Sequence, residues 1–155
     1  MKLFLQPNDI ASLTGFNGNI DNDSIKPAIN TAQTTQVKRV LGTKLYDKIY
    51  TDLNTLSGNY ATIFNDYVVY MTAFFTASIY LSLSVDKVAN GGVFKLSAEN
   101  ATNTSDAKIN TLSKNYEAIA ISYENNFKDF METITIPEYG IEEKETENTN
   151  YIPWY

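Results

Sequence analysis

Tyr67-Val68-Val69-Tyr70-Met71-Thr72-Ala73-Phe74-Phe75-Thr76-Ala77-Ser78-Ile79-Tyr80-Leu81-Ser82-Leu83-Ser84-Val85 runs for nineteen residues between Asp66 and Asp86 without a charge. Wound as an α-helix it is long enough to cross a bilayer. Thr72, Thr76, Ser78, Ser82 and Ser84 nevertheless interrupt it with hydroxyls, and its tyrosines are spread along the run instead of forming a belt at each end. Neither flank is rich in lysine. The stretch therefore predicts the central helix of a bundle, over residues 60–88 and buried nearly all round. A bilayer anchor over 67–85 is the alternative.

Downstream, Ala89-Asn90-Gly91-Gly92 is a turn signal and Val93-Phe94-Lys95-Leu96 alternates like a strand, with Ser97–Thr104 as its partner. A β-hairpin is expected over 89–104. From a cap at Thr104 or Ser105, Ile109, Leu112, Tyr116, Ile119, Tyr123, Phe127, Phe130 and Ile134 recur at spacings of three and four, which predicts a second long helix. Upstream, Asn8 to Gly15 reads as a short helix with an Asn cap and a Gly stop. A further helix is expected from Ser24, with Pro27 in its first turn, to the break at Gly42. Another follows from Thr43 to Leu56 on Leu45, Ile49 and Leu53. Between the first two, Asn17, Asn19, Asp21 and Asp23 alternate as in a calcium loop. The register excludes that site, because its sixth position is Asn22 instead of Gly and its twelfth is Ala28 instead of Glu.

With 155 residues there is enough chain for one core. The sequence has neither cysteine nor histidine, which excludes disulfides, thiolate metal sites, serine–histidine triads and histidine switches. No Gly-rich phosphate loop is present, since Asn90-Gly91-Gly92-Val93 lacks a following Lys-Ser/Thr. Carboxylate pairs occur only in polar segments (Asp21 with Asp23, Glu142 with Glu143), where little would shift their pKa. No enzymatic activity, cofactor or metal is expected.

The net charge of −6 is concentrated at one end. Residues 135–155 carry Glu138, Glu142, Glu143, Glu145 and Glu147 against Lys144, and then stop on Tyr151-Ile152-Pro153-Trp154-Tyr155. An acidic ribbon that ends in three aromatics offsets little of its ordering entropy alone. Two units are expected: a helical body over 1–134 and an extended acidic tail over 135–155. The tail's apolar residues, Ile136, Tyr139, Ile141, Tyr151, Ile152, Pro153, Trp154 and Tyr155, are expected to bind a partner. Lys38, Arg39, Lys44 and Lys48 form the one basic cluster, expected either to face DNA or to compensate a helix C-terminus.

The order of these parts resembles tailed-phage head–tail connector (adaptor) proteins, most closely the portal-proximal ring protein of crAss-like phages. Ile29, Ala32, Gln33, Leu41, Gly42, Lys44, Leu45, Tyr46 and Asp47 carry most of the likeness. It covers roughly residues 8–134. The resemblance implies a structural virion protein at the head–tail interface. Such a protein forms a homo-oligomeric ring, usually twelve-fold, between the portal and the next tail or ring protein. Genomic DNA passes through it, and no membrane is involved. The expected fold class is all-α: an elongated helical bundle with two long helices, one β-hairpin insertion and an extended C-terminal tail. A membrane-anchored protein spanning with 67–85, or a binding module acting through its tail, is the alternative.

Overall fold

The computed structural model describes residues 2–16, 22–84, 87–89, 92–94 and 106–140. Asn17, Asn19 and Asp21 of the alternating acidic loop, the proposed strand partner Ser97–Thr104 and the tail beyond Gly140 lie outside those residues.

Helix α1 (Pro7–Thr14) starts one residue earlier than Asn8, because Pro7 supplies a preset φ at the first helical position. The Gln6 amide donates to the Asp9 carboxylate at 2.8 Å, and Gly15 ends the helix in the left-handed region at φ 72°. Helix α2 (Asn22–Thr31) also starts early, so Pro27 falls in its second turn. It runs into a π-helical segment, Ala32–Val37, and then α3 (Lys38–Leu41). The extra residue in that segment has local causes. The Thr34 and Thr35 hydroxyls donate to the Asn30 and Thr31 carbonyls at 2.7 and 2.6 Å, and the Lys38 amide reaches back five residues to the Gln33 carbonyl. Gly42, at φ 74°, turns the chain into α4 (Thr43–Asp52).

The decisive run is helical from Gly58 to Ser84 in three pieces: α5 (Gly58–Ile63), a π segment (Phe64–Val68) and α6 (Val69–Ser84). From Tyr67 to Leu81 every residue is buried or half-buried. Helix α7 (Asp106–Thr133) lies antiparallel against it, since contacts that climb α6 descend α7: Tyr67 stacks on Phe130, Tyr70 on Tyr123, and Ser82 bonds Ser113. Helices α1, α2 and the first π segment close the other sides of α6.

The expected architecture needs correction. Among the described residues, the α-helices other than α7 have 4 to 16 residues and α7 has 28, so only one uninterrupted α-helix is long. The bundle contains no strand, and the hairpin insertion expected over 89–104 does not form as predicted. The β structure described is a ladder of three pairs, β1 (Lys87–Ala89) with β2 (Gly92–Phe94), in which Ala89 faces Gly92. Asn90-Gly91 is the favoured two-residue hairpin connection, so the residues directly flanking it pair. Lys87 and Val88, expected at the end of the long helix, and Ala89, expected in the turn, therefore form the partner strand.

The core is in two parts. The larger joins Val37, Leu41, Leu45, Ile49, Ile63, Met71, Phe75 and Phe127; the smaller joins Leu5, Ile10, Ile25, Ile29 and Ala73. Phe4 enters the larger core beside Tyr46 and Phe64, with ring centroids at 5.4 and 5.7 Å. Buried Gln33 holds that segment in place: its Oε1 accepts the Phe4 amide at 2.8 Å and its Nε2 donates to the Lys2 carbonyl at 3.0 Å. A buried amide satisfied at both ends costs little and fixes one register.

Candidate interaction surfaces

Three of the four residues in the basic cluster are engaged within the chain. Arg39 grips the Glu124 carboxylate with both guanidinium arms, at 3.2 and 2.7 Å, and Lys128 adds a third bond at 2.6 Å. The Glu124 side chain is only 7% exposed, so these bonds compensate a buried charge. The Arg39 bonds hold the Glu124 carboxyl below its usual range, against a burial effect that works the other way. Lys38 lies 5.3 Å from the Tyr46 ring centroid, and Lys48 pairs with Asp52 at 2.8 Å beneath the Tyr60 ring. Lys44 is exposed.

The first part of the expected tail folds back onto the body. After α7 the chain turns, with the Tyr139 amide bonding the Ile136 carbonyl at 3.1 Å. Ile136 is buried in the larger core, and the Tyr139 ring meets Phe127 edge-on at 5.4 Å. The Tyr60 hydroxyl donates to Glu138 at 2.7 Å. Ile136 and Tyr139 are thus used internally. Ile141, Tyr151, Ile152, Pro153, Trp154 and Tyr155 lie outside the described residues.

Reactive chemistry finds little support in this arrangement. Among the described residues no group of three or more acidic side chains is placed to hold a metal ion. Burial raises the Tyr46 and Tyr116 phenols, and the bond to Glu138 raises that of Tyr60. All three shifts disfavour the phenolate that a base or nucleophile would need. An open groove of about 420 Å³ lies between the far ends of α6 and α7, lined by Ser78, Ser82, Leu83, Asn110, Ser113 and Lys114. Its hydroxyls satisfy one another and the backbone: Ser113 donates to the Ser78 carbonyl at 2.9 Å and lies 2.8 Å from the Ser82 hydroxyl.

What the surface does offer is apolar. Leu83, Leu112, Ile119 and Ile121 are exposed, three of them on α7. Beside them runs a seam of half-buried rings, in which Tyr123 stacks on Tyr70 at 4.7 Å and on Phe74 at 5.9 Å, and Phe16 meets Tyr116 edge-on. Of this seam, Tyr116 and Tyr123 belong to the periodic stripe that predicts α7. Nothing local in the sequence announced the Phe4–Gln33 and Arg39–Glu124 bonds, whose ends lie 29 and 85 residues apart. An acidic residue inside an otherwise apolar helical stripe, as Glu124 is, was the one available signal.

No curated protein and no solved structure matches the chain. A family model does match, over residues 37–149, from the first π segment through α7 and beyond. The chain belongs to that family, a family of unknown function designated DUF6712.

Proposed function

We propose that this chain is a non-catalytic structural subunit that acts by packing against other protein chains, as a head–tail connector of a phage particle does. In that reading copies close into a ring, with twelve the usual number, between the portal and the next tail protein, and the ring conducts genomic DNA. The subunit is made in the host cytoplasm and ends in the virion. The observation that carries the reading is the outer surface of α7, which leaves Leu112, Ile119 and Ile121 at about 40% exposure. Apolar surface of this kind favours protein contacts. The tail residues Ile141, Tyr151, Ile152, Pro153, Trp154 and Tyr155 are the second contact, seated on a neighbouring subunit or on the portal. Removing residues 148–155 is expected to leave the melting temperature within about 2 °C of the full chain, because those residues follow a body that already folds back through Gly140. The same truncation is expected to weaken assembly at least tenfold in sedimentation velocity, alone or with portal added. Unchanged assembly overturns the tail's role.

A second reading rests on a specific observation: the helix Gly58–Ser84 is long and apolar enough to cross a membrane. Against it stands the cover that α1, α2 and α7 give to α6, with Thr72 and Thr76 buried and bonded to the backbone of the preceding turn. The two readings separate on flotation with phospholipid vesicles. The structural-subunit reading predicts that the chain stays at the bottom of the gradient; flotation that resists high salt would favour the anchor.

A further inference from the structure

The outward face of α7 carries a pattern that its own bundle does not use. Thr111, Ala118, Ser122, Asn125 and Asp129 follow one another at spacings of seven, four, three and four, which places them in one line on the side away from α6. All five are exposed. Most are small, so a second helix could approach closely. Ile119 borders the line on one edge and Ile121 on the other, at 39% and 43% exposure. From Ala118 to Asn126 no exposed residue is charged, because Glu124 turns inward to Arg39. Charges resume on both sides: Lys114 and Glu117 before the gap, Lys128, Asp129 and Glu132 after it.

We propose that this face binds the same face of a second copy, the two α7 helices antiparallel about a two-fold axis at Ser122. An axis there sets residue i of one helix level with residue 244 − i of the other. Lys114 then falls between Asp129 and Glu132 of its mate, and Glu117 lies about one residue from Lys128, whose side chain is half exposed even while it bonds Glu124. By symmetry each pairing occurs twice. Every cation beside the uncharged gap therefore meets an anion, and Ala118 meets Asn125 and Asn126 at the centre. A parallel pairing would instead set Lys114 against Lys114 and Asp129 against Asp129, so the charge order selects the antiparallel register. A two-fold contact closes on itself and yields a pair. It uses a different surface from the tail, and because it occupies the α7 face, a ring neighbour would have to be held by another surface.

The absence of cysteine from the chain makes the test clean. In the full-length protein, Ser122→Cys puts one thiol at the axis with little change in shape, and Glu132→Cys puts one at an end, far from its own mate in the antiparallel pair. Under mild copper-catalysed oxidation, Ser122→Cys is expected to form a disulfide-linked dimer at least tenfold faster than Glu132→Cys. Lys114→Glu should slow that reaction, and adding Asp129→Lys with Glu132→Lys should restore it. Removing residues 148–155 should leave it unchanged, which separates this contact from the tail's. Equal rates for the two cysteines overturn the proposal; faster linking through Glu132→Cys would replace it with a parallel pair. Should the charge variants fail to fold, the ratio of the two single-cysteine rates decides alone.

Discussion

Phe127→Ala is expected to lower the unfolding free energy by about 4 kcal/mol, within the range for truncating a fully buried aromatic. Phe127 has no exposed surface and lies where three parts of the chain meet. Its ring meets Tyr67 of the second π segment at 6.1 Å and Tyr139 of the turn after α7 at 5.4 Å, both edge-on. Removing it opens a cavity between α7 and the helix Gly58–Ser84 and frees the folded-back turn. For a chain of this size the melting temperature should fall by about 10 °C. Phe130→Ala is the control. That ring stacks on Tyr67 at 5.3 Å but is only half buried, so its loss should cost about half as much. Equal effects in a thermal melt would mean that α7 is not seated as described.

Arg39→Ala should cost about 2–3 kcal/mol, and the asymmetry with its partner is informative. The substitution strands the buried Glu124 carboxylate with Lys128 as its one remaining cation. Glu124→Gln removes the buried charge itself and leaves Arg39, whose side chain is 54% exposed, free to hydrate. The second variant should therefore be the milder. The pH dependence follows from the lowered Glu124 pKa, caused first by the Arg39 bonds. A depressed carboxyl contributes stability that is complete above its unfolded value of about 4.3, and that is lost as pH falls through the lower folded value. The stability difference between the native chain and Arg39→Ala, measured in denaturant melts, should hold steady from neutral pH to about 5 and shrink below about 4. A gap that stays constant to pH 3 would contradict the clamp.

The helices were legible where one periodic stripe accounts for them. Tyr116, Tyr123, Phe127 and Phe130 of the expected stripe give α7 its inward face, whereas Leu112 and Ile119 are left exposed, and Gly15 and Gly42 mark true breaks. The hydroxyls inside the Tyr67–Val85 run pointed to a protein-lined helix, and from Tyr67 to Leu81 the structure packs other helices against it, while Ser82, Leu83 and Ser84 are exposed. Three features were hidden for physical reasons. The π segments each add a residue to a helical turn, which no apolar period marks; in the first, the Thr34 and Thr35 hydroxyls bond the backbone of the preceding turn. The short β ladder depends on which residues flank Asn90-Gly91, and Lys87–Ala89 is equally at home in the last turn of a helix. Ile136 and Tyr139 stand in an acidic stretch whose composition resembles a tether, yet they reach a pocket at Phe127 that only the folded body creates. The basic cluster was legible as residues but not as chemistry, because the partner of Arg39 lies 85 positions away.

The most direct test of the account is the mass of the full-length chain, purified without detergent and measured by native mass spectrometry across a hundredfold range of concentration. A structural subunit with two contact surfaces predicts a water-soluble protein that passes from monomer to discrete closed assemblies, with pairs among the smaller species. A chain that is monomeric throughout that range and stays so with portal added, or that enters solution only with detergent, would contradict the account.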